Sequence, residues 1–123
     1  MANKKLELGK RGEDFACEYL KKKGYKIIER NFRKKWGELD IIAKSPDKIL
    51  VFVEVKTMKF FPLLDLKPED QLTAAKKEKL QKIALFYANN HEDLIYKEKG
   101  WRIDLIALTI DKENFIINHY QNI

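Results

Sequence analysis

The chain has 123 residues, enough for one hydrophobic core and too few for two, so a multi-domain organisation is excluded. Lys plus Arg number 25 against 19 Asp plus Glu, a net charge of +6, and the 45% hydrophobic content is that of a globular domain, which excludes a disordered chain. Most of the positive charge is lysine, a mobile point charge suited to phosphate backbones more than to planar base edges, so nucleic-acid binding and simple solubility both account for the surplus.

Apolar residues Leu8, Phe15, Ala16, Tyr19 and Leu20 recur at helical spacing, and Gly24 follows a triple lysine, which predicts an amphipathic helix over residues 8–23. Tyr25 to Phe32 reads as a first strand ending at the basic stretch Arg33-Lys34-Lys35, and Glu38 to Lys44 as a second. Ser45-Pro46-Asp47 is a turn. Ile49 to Val55 is almost wholly apolar and is expected to be the central strand, buried on both faces. After an irregular stretch from Phe60 to Pro68, Thr73 can cap a second helix running to about Asn90. Trp101 to Ile110 and Phe115 to Tyr120 give two more strands around a turn at residues 111–114. The expected order is αβββαββ, an α/β domain with a central mixed sheet flanked by helices.

The single cysteine, Cys17, can form no internal disulfide, and its default reading is a helix flank. No apolar h-region follows Met1, and no run approaches the roughly 20 apolar residues of a membrane span, so a cytoplasmic protein without membrane association is expected.

Three acids are out of place in this pattern. In Leu50-Val51-Phe52-Val53-Glu54-Val55-Lys56, Glu54 and Lys56 share one face of the most apolar strand. An unpaired buried carboxylate is costly, so Glu54 is an internal ion-pair partner of Lys56, a strand end emerging into solvent, or a functional group. Asp40 lies among Leu39, Ile41 and Ile42. If the second and third strands fold antiparallel about Pro46, Asp40 faces Phe52, one diagonal step from Glu54. Two carboxylates that close ionise together only with a cation between them, and two acids plus water suit Mg²⁺ or Mn²⁺. Lys56 can then hold the attacking water or offset phosphate charge. Glu13 falls at the border of the first helix's apolar stripe; it is either an N-terminal-turn acid favoured by the helix dipole or a third acid aimed at the sheet edge. Gly9 and Gly12 mark a helix start or permit a close approach.

The motifs Gly9-Lys10-Arg11-Gly12-Glu13, Asn31-Phe32-Arg33, Gly37-Glu38-Leu39-Asp40-Ile41-Ile42 and Val51-Phe52-Val53-Glu54-Val55-Lys56-Thr57 resemble the YraN family of predicted endonucleases. Thr73 with Lys76, and Arg102-Ile103-Asp104, are similar to that family's later motifs, so the resemblance covers nearly the whole chain. It implies a restriction-endonuclease-like PD-(D/E)XK core, similar to archaeal Holliday junction resolvases. With that core come Asp40 and Glu54 as metal ligands, Lys56 as the catalytic lysine and Glu13 as the acid of the first helix. The main-chain carbonyl of Val55, between Glu54 and Lys56, is a further candidate ligand. Two departures stand out: Met58 occupies a position usually held by arginine in the family, and Leu39 replaces the proline of the fold's name.

The expected activity is Mg²⁺- or Mn²⁺-dependent cleavage of DNA, branched or junction DNA included, with no organic cofactor and with a homodimer matching a two-fold junction. Arg11, Arg33, Lys34, Lys35, Lys76 and Lys79 are the candidate nucleic-acid contacts. The rival is a non-catalytic nucleic-acid-binding or protein-interaction module on the same fold. A KH-type clamp at Gly9-Lys10-Arg11-Gly12 requires a helix before Gly9, for which there is no room. His91 and His119 lack zinc-ligand spacing and read as a loop and a strand-surface residue. Trp101 is assigned to the core and Trp36 to a flexible basic loop with residues 33–35. The apolar stretch from Met58 to Pro68, with Phe60, Phe61, Leu63 and Leu64, is either a partner or substrate flap or part of the core.

Overall fold

The first apolar stripe becomes helix α1, Lys4–Lys22, in a computed structural model that describes residues 4–60, 67–96 and 98–123. The helix starts before Leu8, so Gly9 to Gly12 lie inside a continuous helix, and the KH-type loop is excluded by the backbone itself. It ends where Gly24 takes φ +91° and the N–H of Tyr25 donates to the carbonyl of Leu20 at 2.9 Å, a closure that glycine permits without strain.

Strands β1 (Lys26–Lys34), β2 (Gly37–Lys44) and β3 (Leu50–Lys59) follow as an antiparallel meander. Helix α2 (Ala74–Asn90), capped by the Thr73 hydroxyl accepting from the Lys76 N–H at 3.2 Å, crosses back to β4 (Trp101–Asp111), which pairs parallel with β3. Strand β5 (Asn114–Tyr120) closes the sheet, whose spatial order is β1-β2-β3-β4-β5 with β3 at the centre, as the unbroken apolar run of β3 demands. The order αβββαββ is thus the observed one.

Each sheet face carries one helix. Ala16, Cys17 and Leu20 of α1 pack on Ile41, Val51, Val53 and Val55; Leu80, Ile83 and Tyr87 of α2 pack on Leu39, Ile42, Leu50 and Phe52. Burying each large side chain contributes about 1.5–3 kcal/mol, so the two clusters hold the three layers together. Among the described residues no helix is long and apolar enough to cross a membrane.

Four local expectations are corrected. Arg33 and Lys34 belong to β1 and Trp36 to a tight Lys35-Trp36 turn, because Lys34 pairs with Gly37 across the hairpin, so residues 33–36 form no basic loop. The β2–β3 hairpin folds about Asp47 and not Pro46, because Ser45 caps a five-residue loop: its N–H donates to the Ile49 carbonyl and its hydroxyl accepts from the Ile49 N–H. Cys17 is buried in the core, since α1 turns that side of its wheel to the sheet. His119 is no surface residue. Its Nε2 lies 2.8 Å from a fully buried Asp104, whose carboxylate also accepts from Arg102 Nε at 2.9 Å and from the Asn122 N–H at 3.0 Å. This network ties β5 and the chain end to β4, and the Tyr19 hydroxyl reaches His119 Nδ1 at 3.1 Å from α1. Trp101, assigned to the core, is partly buried at its border beside Phe52, with ring centroids 5.5 Å apart. Residues 61–66 of the apolar stretch lie outside the described residues.

Candidate functional site

A strand alternates its side chains between two faces, yet Leu39 joins the core under α2 while Ile41 joins the core under α1. Period two therefore breaks at Asp40. The same break occurs on β1 between the pairs Arg30↔Ile41 and Phe32↔Leu39, where Asn31 has φ +54°. Asparagine tolerates this left-handed conformation better than most residues, which is the local reason for an asparagine here. The coupled kink peels β2 away from β3: their pairing runs from Lys44↔Leu50 to Ile41↔Val53.

At the opening the Asp40 carboxylate takes the place of a main-chain partner, its Oδ2 accepting from the Val55 N–H at 2.9 Å. A strand residue's N–H and C=O point to the same edge, so the Val55 carbonyl also faces the gap that Asp40 occupies. The fold about Asp47 puts Asp40 one residue beyond the last β2–β3 pair, Ile41↔Val53, and so beside Glu54, nearer than the diagonal expected from a fold about Pro46. Burial, then a hydrogen bond and repulsion with Asp40, push the Glu54 carboxyl up to about 9, with Lys56 pulling the other way. At neutral pH the metal-free pair thus holds a proton. Lys56 acts on Glu54 through space, and among the described residues no ion pair within 4.0 Å joins them, so a closed internal ion pair is not the reason for Glu54.

Glu54 and Lys56 open into a cavity of about 210 Å³ whose other walls are Gly37 and Glu38 from the β1–β2 hairpin and Lys76, Lys79 and Leu80 from α2. Lys76 and Lys79 therefore stand at the site. A neighbouring cleft of about 590 Å³ on the α1 side holds Glu13, Lys10, Arg30 and Arg33, and Glu38 borders both. Glu13 is half-buried there, its Oε1 3.7 Å from Arg30, and desolvation followed by the charge of Asp40 raises its pKa. It feels Asp40 but does not join it: among the described residues no three His, Cys, Asp or Glu side chains form a metal-holding group. Arg33 pairs with Glu38 at 3.4 Å, Lys34 lies over Phe32 and Phe86, and Lys35 is exposed at the turn. Arg11 lines neither cleft and sits 5.8 Å from the Phe115 ring.

Gly12 is the close approach of α1 to β3. A Cβ there would fall 2.0 Å from Thr57 Oγ1, a buried hydroxyl with no hydrogen-bond partner among the described residues. At Gly9 nothing comes within 4 Å.

Sequence reasoning assigned no role to Glu38 or Arg30. Glu38 was legible as a second acid two residues before Asp40; Arg30, which reaches Asp14 at 2.8 Å, carries no signal until β1 is laid against α1.

Comparison with known proteins places these residues in a family. The family model described as "Uncharacterised protein family UPF0102" matches residues 12–108. The chain belongs to the UPF0102 (YraN) family. A UPF0102 protein of Thermodesulfovibrio yellowstonii is 43% identical over 120 residues, covering 96% of both chains. One of Campylobacter concisus is 42% identical over 115 residues (94% of this chain, 93% of the relative), and one of Carboxydothermus hydrogenoformans 37% over 117 residues (95% and 94%). The UPF0102 match contains Gly12, the Asn31–Asp40 kink, Glu54, Lys56 and the Arg102–Asp104 pair, and stops short of β5.

Proposed function

We propose that this protein is a metal-dependent endonuclease that hydrolyses DNA phosphodiester bonds, on a restriction-endonuclease-like PD-(D/E)XK core. The observation that carries the reading is the Asp40–Glu54 carboxyl pair, brought together at the β2–β3 opening and followed by Lys56, in a cleft walled by Lys76 and Lys79. A buried acid pair that must hold a proton when alone is a poor structural device and a good receptor for a divalent cation. Mg²⁺ and Mn²⁺ take one or two carboxylates plus waters, so Asp40, Glu54 and the Val55 carbonyl fit either ion without a third acid. When bound, such an ion supplies charge for the phosphate and acidity for its water.

The chain's own groups have separable tasks. Asp40 is held in place by the Val55 N–H and so would fix one ligand oxygen of an ion shared with a phosphate. Lys56, on the same face as Glu54, orients the attacking water and offsets negative charge growing on the phosphate. Lys76 and Lys79 hold the flanking backbone. Glu13, across Glu38 from the pair, assists by orienting water or a second ion from the neighbouring cleft. A cytoplasmic location and a two-fold homodimer belong to the same proposal; sedimentation reads the dimer.

Incubating the protein with branched, single-stranded and duplex DNA, in Mg²⁺ or Mn²⁺ and in chelator, tests the reading. Metal-dependent internal cleavage is expected. The lack of a three-acid group among the described residues favours one alternative, a binding module without chemistry, for which the outcome is salt-dependent DNA affinity and no cleavage in any metal.

A further inference from the structure

The tip of the β1–β2 hairpin presents aromatic surface that the core does not use. Trp36 is 48% exposed and Phe86, on the outer side of α2, is 36% exposed. The two rings meet edge to face at 5.3 Å and 88°, so the contact covers one face of one ring and leaves the rest of the aromatic surface clear of it. Lys34 sits 5.5 Å from the Phe86 ring centroid, and Lys35 is exposed beside Trp36 in the turn. This patch runs directly into the candidate site: Gly37 and Glu38, the next two residues after Trp36, line the cavity that holds Glu54 and Lys56. Along α2 the seven helical steps from Lys79 to Phe86 span about 10 Å, a distance that one or two nucleotides of single strand cover.

We infer that Trp36 and Phe86 form a stacking platform for successive unpaired nucleobases, one to each ring, of a DNA strand whose phosphates enter the Glu54–Lys56 cleft. The inference rests on the proposed function and narrows its substrate to DNA with unpaired nucleotides next to the cut, as at flaps, forks and junction arms. The occupant follows from the chemistry of the patch. A protein partner covering exposed aromatics does not need a surround of lysines, whereas a single strand needs both flat rings for its bases and cations for its phosphates. Duplex DNA offers its bases only as edges in the grooves, so these rings gain nothing from it.

The chain has two tryptophans, so in Trp101→Phe the indole of Trp36 is the only fluorophore of its kind. This variant, in chelator, is titrated with a short oligothymidylate and with a blunt-ended duplex hairpin. Strong quenching by the single strand and little by the hairpin is expected. In the native background, Trp36→Ala and Phe86→Ala should each weaken single-strand affinity by about 10-fold and change hairpin affinity less than 2-fold, as loss of one base–aromatic stack requires. Trp36→Phe keeps a ring and should retain most of the affinity, and any quenching that survives in it comes from Trp101 and contradicts the platform. Absent quenching, or equal loss on both ligands, overturns the inference. Because no metal is present, these outcomes are independent of cleavage: a failed nuclease assay leaves the quenching result standing, and absent quenching leaves the cleavage assay standing.

Discussion

The main-chain N–H of Val55 donates to Oδ2 of Asp40 at 2.9 Å, across the point where β2 parts from β3. A side chain thus performs the hydrogen bonding of a ladder partner. Asp40 is consequently both a structural group and a candidate ligand, and substitutions can separate the two roles. Asp40→Ala leaves a buried N–H unpaired and should cost about 1–3 kcal/mol in urea denaturation. Asp40→Asn keeps an acceptor for that N–H and should cost less. Both are expected to abolish cleavage.

Glu54→Gln should stabilise the metal-free protein. The glutamate is raised to about 9, so between its unfolded value near 4.5 and that folded value its ionisation opposes folding, increasingly as pH rises. Gln is neutral and can donate to Asp40. In chelator, thermal melts of the variant should exceed the wild type by a few degrees at about pH 8 and by little at about pH 5. A variant less stable at both pH values would contradict the acid-pair geometry.

Asp104 behaves in the opposite sense. Complete burial would raise its pKa, but hydrogen bonds from His119, Arg102 and the Asn122 N–H outweigh it and hold the carboxyl below the usual 3.8. Its contribution to stability is present above the unfolded value and is lost as pH falls through the folded one. Asp104→Ala, which strands Arg102, should cost about 3–5 kcal/mol at neutral pH by denaturant titration. Asp104→Asn should cost less there, and its stability should converge with the wild type in acid.

The two glycines of α1 should part company. Gly12→Ala drives a Cβ into Thr57 Oγ1 and is expected to lose about 1–3 kcal/mol, part of which Thr57→Ala recovers in the double variant. Gly9→Ala meets nothing within 4 Å and should gain about 0.5–1 kcal/mol from helix propensity. Thermal or urea denaturation of the four proteins reads both.

These contrasts mark what the sequence carried. Element order, the central place of β3 and the shared face of Glu54 and Lys56 follow from apolar periodicity, a signal that packing against two helices enforces. The hairpin centre did not follow, because a serine-capped five-residue loop and a Pro-centred turn share the same composition. The kink at Asn31 and Asp40 was also hidden: a left-handed asparagine opposite an aspartate is a property of two strands together, and neither strand alone announces it. His119 reads as a surface residue for the same reason, and Arg30 carries no signal of its own, since their partners Asp104 and Asp14 are 15 and 16 residues away.

The central claim is that the Asp40–Glu54 pair and Lys56 are chemistry and not scaffold. It is tested most directly by single-turnover cleavage of a forked DNA in Mg²⁺ by wild type, Asp40→Asn, Glu54→Gln and Lys56→Ala, at matched folding and matched DNA affinity. The expected result is cleavage by wild type that chelator stops, with a rate lowered at least about 100-fold in each variant. Cleavage that persists at the wild-type rate in Asp40→Asn and Glu54→Gln would contradict the account.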